Sequence, residues 1–115
     1  MKKTISSISV VVTLASLFMM PTQAGAKEMT GEEVTFGRKL GNCLACHMIP
    51  GGSLPGTIGP PLLAMKARFP NKADLREQIW DATIKNPHSI MPPFGKHQAL
   101  SEKQIDQITD FIYSK

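Results

Sequence analysis

Cysteine and aromatic residues are scarce in this chain: two Cys, one Trp, one Tyr and five Phe in 115 residues. Two cysteines form at most one pair, so no disulfide framework supports the fold. A run long enough to cross a bilayer is also lacking. The mostly apolar stretch from Val10 to Met20 is well short of the ~20 residues that a membrane span requires. There is no block of like charge, which removes the usual signature of a nucleic-acid-binding protein. Strand-like alternation, internal repeats and low-complexity segments are missing as well. What remains is a series of helical patterns separated by loops rich in Pro and Gly, nine of each.

The first 26 residues have their own logic. Lys2 and Lys3 make a positive start, the apolar stretch follows, Pro21 breaks it, and Ala24-Gly25-Ala26 is an A-x-A cleavage pattern. This reads as a secretory signal peptide removed near Ala26, with a retained membrane anchor as the alternative. Residues 1–26 are thus expected to leave, and 27–115 to form one domain in the periplasm. Two of the 13 Lys and Arg lie in the leader and none of the nine acidic residues, so the 89-residue remainder carries a formal charge of +2. A domain of that size buries a modest fraction of its surface and needs a staple.

Cys43-Leu44-Ala45-Cys46-His47 supplies one. C-x-x-C-H is the attachment signature of a c-type haem. Thiols three residues apart sit on neighbouring positions of a helical turn, where both reach one edge of a porphyrin. The next residue, His47, is then placed to bind the iron. A thioredoxin-like dithiol or a structural disulfide beside an incidental histidine is the competing reading.

Helical periodicity organises the rest. A first helix is expected from Gly31 to about Cys46, with Glu32 and Glu33 at its positive end. A loop follows from Met48 to Gly59. Pro61 opens a short helix through about Arg68, which Pro70 ends. Asn71 resembles the N-cap of a helix with Leu75, Ile79 and Ala82 on one stripe, stopped by Asn86-Pro87. Ser101 and Gln104 match a capping box, flanked by Leu100 and Ile105, before a helix whose apolar face is Ile105, Ile108, Phe111 and Ile112.

A second iron ligand is sought among the remaining methionines and histidines. Met48 adjoins His47 and cannot reach the opposite side of a ring, and Met65 follows the proximal loop too soon. Met91 lies 44 residues past His47 in Ile90-Met91-Pro92-Pro93-Phe94, a loop stiffened by paired prolines. It is the expected axial ligand, with His88 and His97 as rivals. Pro60, 13 residues after His47, is placed to accept a hydrogen bond at its carbonyl from the other imidazole nitrogen. Trp80 is expected against the porphyrin, and Lys66, Arg68, Lys85 and Lys96 are candidates for its rim.

C-x-x-C-H, Gly59-Pro60-Pro61-Leu62, Met91-Pro92 and an amphipathic last helix together resemble the class I cytochrome c fold across 27–115. The resemblance implies an all-α domain of short helices around one covalent haem c, held by Cys43 and Cys46, with His47 and Met91 as axial ligands. Gly41-Asn42-Cys43, Pro55-Gly56-Thr57-Ile58-Gly59 and Asn86-Pro87 are further similar to SoxX, the small cytochrome subunit of sulfur-oxidising SoxAX complexes. That likeness implies a heterodimer with a SoxA-like haem protein and a downstream cytochrome or other electron acceptor. It also implies a role in coupling thiosulfate to a carrier-protein cysteine, formally an L-cysteine S-thiosulfotransferase. The chain itself shows no catalytic site. A free-standing electron carrier is the alternative, and a haem sensor a more distant one. One departure concerns the helix crossing: the family's glycine and aromatic positions hold Thr35 and Lys39 here, leaving Gly37 and Phe111 as the expected crossing partners.

Overall fold

The computed structural model describes residues 27–115; the expected signal peptide, 1–26, lies outside the described residues. Among the described residues there is no strand. The elements are α1 (Gly31–Phe36), a 3-10 turn (Cys43–Ala45), α2 (Met65–Arg68), α3 (Lys72–Trp80) and α4 (Glu102–Tyr113). The all-α expectation holds.

The last helix forms as its sequence directs. Ser101 Oγ accepts from the Gln104 amide and Gln104 Oε1 accepts from the Ser101 amide, a reciprocal capping box. Leu100 and Ile105 are buried on either side of it. Ile105, Ile108 and Ile112 then face a core completed by Val34, Ile49, Met65, Leu75 and Ile79. α3 starts where expected, with the Asn71 side chain accepting from the Ala73 amide at 3.1 Å.

Three boundaries differ from the sequence expectation. α1 stops at Phe36 rather than near Cys46, because Gly37 leaves the helix in an extended conformation. The chain from Gly37 to Asn42 then folds into turns, with Gly41 donating to the Val34 carbonyl and Asn42 to that of Gly37. Asn42 is left-handed, a state Asn tolerates better than most residues. α2 starts at Met65 rather than Pro61; the paired prolines keep the entry extended, and Ala64 turns through a positive φ. α3 ends at Trp80, short of Asn86. Asp81 is extended there and its side chain captures the Thr83 amide and hydroxyl, a local alternative to further helix.

The α1–α4 crossing uses Gly31, not Gly37. A Cβ on Gly31 would meet the Gln107 carbonyl oxygen and lie 2.9 Å from Phe111 Cβ, so the two backbones touch only because the side chain is absent. Phe111 then meets Phe36 edge-on, centroids 5.5 Å apart. The spacing of this glycine and aromatic relative to Cys43 hid the pair. Gly31→Ala should cost about 1–3 kcal/mol by forcing the helices apart, read as a lower melting temperature of the holoprotein. An unchanged melt would mean that the crossing relaxes freely.

The residues buried on α1, α3 and α4 make a small core, and much of the remaining chain is loop. If the expected haem is its staple, the domain should be largely unfolded without it. Cys43→Ala with Cys46→Ala, exported normally, should give little helical circular dichroism and rapid proteolysis. A compact, protease-resistant product would show that the helices stand alone.

Candidate cofactor site

The Cys43–Ala45 turn is tied at both ends: Ala45 donates to the Asn42 carbonyl, and Cys46 and His47 both donate to the Cys43 carbonyl at 3.2 and 2.9 Å. This winding sends Cys43, Cys46 and His47 to the wall of one cavity of about 620 Å³, while Leu44 packs away from it against Gly52. The following loop is stitched to the turn. Gly56 donates to the Leu44 carbonyl at 2.7 Å and Gly59 to that of Cys46 at 2.8 Å.

The same stitching fixes the imidazole. His47 Nδ1 lies 2.7 Å from the Pro60 carbonyl oxygen. A carbonyl only accepts, so Nδ1 carries the proton and Nε2 keeps its lone pair free for a metal. The ring packs on the backbone of Gly59, where a Cβ would stand 2.6 Å from Nδ1; no larger residue leaves it in place.

Met91 reaches the same cavity from the far end of the chain. Asn86 Oδ1 accepts from the His88 amide, and the Asn86 carbonyl accepts from that of Ser89. Ser89 Oγ then accepts from the Met91 amide at 3.2 Å. The Asn86-Pro87 pair thus ends no helix, as the sequence suggests, but starts the turn that delivers the thioether. Met65 is 1 % exposed within the core and Met48 is on the surface, and neither lines the cavity. Of the two rival histidines, His88 lies on the wall and His97 does not.

The donor set suits a covalently held haem. Two thiols, an imidazole nitrogen and a thioether share a cavity within the size range of cofactor pockets, with Leu40, Ile58, Pro92 and Phe94 supplying apolar wall. Burial pushes the Cys43 thiol up to about 11, with the neighbouring Cys46 adding to the rise.

Several expected rim residues lie elsewhere. Trp80 is not on the cavity wall; it packs against the Gly95 backbone with the Arg76 guanidinium 5.5 Å from its ring. Arg68 donates to the Pro61 carbonyl, Lys96 pairs with Asp81, Lys85 with Glu77, and Lys66 sits over Tyr113. The polar groups actually on the wall include Arg38, Asn42, Gln78 and Asn86. Arg38 was hidden by the expectation of an unbroken first helix, although it stands only five residues before Cys43.

A helical domain built round these donors is a c-type cytochrome. The family model described as cytochrome C oxidase, cbb3-type, subunit III matches residues 26–112, and the chain belongs to that family. Among solved structures, a chain of the SoxXA crystal structure from P. pantotrophus superposes with a TM-score of 0.65 at 28 % identity. The match covers 73 % of this chain and 77 % of that one. The protein is therefore a SoxX-like small class I cytochrome, with electron transfer as its role. No curated protein sequence matches it. No described helix is long and apolar enough to cross a membrane.

The base of the Met91 loop makes a pH prediction. Hydrogen bonds from the Thr83 hydroxyl, then from Lys96, hold the Asp81 carboxyl below the usual carboxylate range. A lowered folded pKa contributes stability above the unfolded value of about 3.9 and loses it as pH falls through the folded value. Asp81→Asn should lower holoprotein stability at neutral pH and flatten its decline below about pH 4. Parallel acid limbs in parent and variant would refute that role.

Proposed function

We propose that this chain is the electron-transfer subunit of a SoxAX-like complex and carries one haem c joined by thioethers to Cys43 and Cys46. His47 Nε2 and Met91 Sδ would be the axial ligands, and Pro60 would orient His47 through its carbonyl. The observation carrying this reading is that all four donors line one cavity while the other His47 nitrogen is already engaged by Pro60. The likeness to a SoxXA chain supports the assignment to a complex.

When bound, the haem supplies a one-electron ferrous–ferric couple. The residues explain why it would do nothing else. His47 and Met91 would hold the iron and both thiols would be taken up by thioethers, so no donor or nucleophile would be left for substrate. A soft thioether favours ferrous iron and so suits an acceptor of electrons. Bond formation belongs to the SoxA-like partner. There the outer sulfur of thiosulfate joins a carrier-protein thiol, one proton leaves, and two electrons are released, which this chain passes on singly to a downstream cytochrome or other acceptor.

The docking surface is assigned to the Met48–Gly59 and Asn86–Gly95 loops. Ile58 and Ile90, 67 % and 79 % exposed, stand at the cavity wall, where apolar contact would exclude water and shorten the electron path. Export to the periplasm, with cleavage near Ala26, agrees with haem attachment outside the cytoplasm.

Two measurements test the proposal. The oxidised holoprotein should show the weak far-red band of methionine-ligated ferric haem, and Met91→Ala should remove it. Survival of the band in that variant would reassign the ligand. Mature protein, a SoxA-like partner, carrier protein and thiosulfate should together give haem reduction and a carrier mass increase that require the partner. Efficient reduction without it, or a strictly monomeric protein in native extracts, would favour a free carrier to an oxidase or other redox partner.

A further inference from the structure

Asp81 is a carboxylate with 5 % side-chain exposure that the electron-transfer chemistry does not use. Burying such a charge is costly unless it is paired and fully hydrogen-bonded. Here it is. Oδ2 receives Lys96 Nζ at 2.9 Å, and Oδ1 receives the Thr83 amide at 3.0 Å and the Thr83 hydroxyl. One residue back, the Trp80 carbonyl accepts from the amides of both Gly95 and Lys96, at 3.1 and 3.3 Å.

These bonds lie where one loop leaves the body of the protein and returns to it. The chain departs at Trp80–Asp81, passes through the Asn86 turn to Met91, and comes back at Gly95–Lys96. Between its ends the loop touches the core through Ala82, Met91 and Phe94, while Ile84 is 60 % exposed and Ile90 79 %. Its internal bonds shape the turn around Ser89, and only the exposed Lys85 reaches a helix, at 3.7 Å from Glu77 and 3.5 Å from the Asp74 carbonyl of α3. The short, buried bonds that close the loop are at its base.

We propose that Asp81, with Thr83 and Lys96, is a positioning latch that closes this loop and keeps the Met91 thioether at the iron. The inference rests on Met91 being the axial ligand. A thioether binds ferric iron less well than ferrous, so in the oxidised protein the ligand depends more on how tightly its loop is held. Hydrogen bonds to a charged group are among the stronger ones, so breaking the latch should raise the open-loop population about tenfold or more. Opening exposes an iron position to other ligands and favours the ferric state, so the reduction potential should fall.

Imidazole uptake by the ferric holoprotein measures the opening, because the added ligand enters only when Met91 leaves. Asp81→Asn should bind imidazole about tenfold faster than the parent or more. Lys96 is exposed, so Lys96→Gln leaves the apolar core intact; it should accelerate uptake by more than any fall in its melting temperature accounts for. Lys96→Arg, which keeps the charge, should restore the parental rate. Parental uptake rates in both Asp81→Asn and Lys96→Gln would overturn the latch. So would a rise in rate that merely tracks a fall in melting temperature. Met91→Ala separates the two ideas: if that variant keeps the far-red band, the ligand assignment fails and the latch with it. If it loses the band while the latch variants behave as the parent, the latch alone fails.

Discussion

A 2.7 Å hydrogen bond between His47 and the Pro60 carbonyl governs how the site is built. An imidazole in a loop rotates freely unless something holds its second nitrogen, and an unheld ring offers neither a fixed tautomer nor a fixed direction. Pro60 performs this function because it is itself immobile. It sits between the Gly59 amide, bonded to the Cys46 carbonyl, and Leu62, whose amide is bonded to the Met48 carbonyl. The chain thus folds back on either side of His47, and Gly59 lets the ring lie against backbone. Lengthening the intervening loop or adding a side chain at Gly59 would undo the placement without touching a ligand.

The remaining structure divides into a platform and two straps. α1, α3 and α4 bury a cluster of Val, Leu, Ile and Met side chains, and this platform carries the burial energy of the polypeptide. The ion pairs that bridge α3 to α4, Lys72–Asp110 and Arg76 with Asp106 and Glu102, are surface contacts of small weight. The straps, one following Cys46 and one following Trp80, are held by hydrogen bonds and by the packing of Ile49, Leu62, Met91 and Phe94 on the core. Each encloses a donor: His47 in the first, Met91 in the second. On the proposed reading, an all-α cytochrome of this size carries its ligands on loops that are closed by bonds at their base and packed on the core.

What the sequence revealed and what it hid follow from the range of the interactions. α4 was legible in full, since a capping box, its flanking Leu100 and Ile105 and a three-isoleucine stripe are all local signals. The start of α3 at Asn71 was equally plain. The length of α1 was not, because the apolar spacing of Val34, Gly37 and Leu40 continues past the point where Gly37 leaves the helix. Trp80 was misplaced for a different reason: nothing local shows that the backbone of Gly95 will pack on its indole. In the site, Cys43, Cys46, His47, Pro60 and Met91 are the donors and acceptor that motif and spacing single out, and the fold brings them to one place. Arg38 and the Asp81 cluster were invisible, since their significance depends on a turn and a loop closure that no periodicity records.

The charge arrangement of the Met91 strap connects its stability to its work. An electron carrier is most effective when the same ligands and geometry serve both oxidation states, because anything that moves must be moved on every transfer. Met91 and Phe94 pack part of the strap on the core, while Ile90 and Ile58 at the cavity wall are left exposed. Placing the fastening at Asp81 and Lys96, away from those isoleucines, leaves the tip of the loop apolar without leaving it loose. A buried carboxylate is a costly way to hold a loop in a small domain. It is reasonable here because fastening through the isoleucines would occupy the surface through which, on the proposed reading, electrons enter.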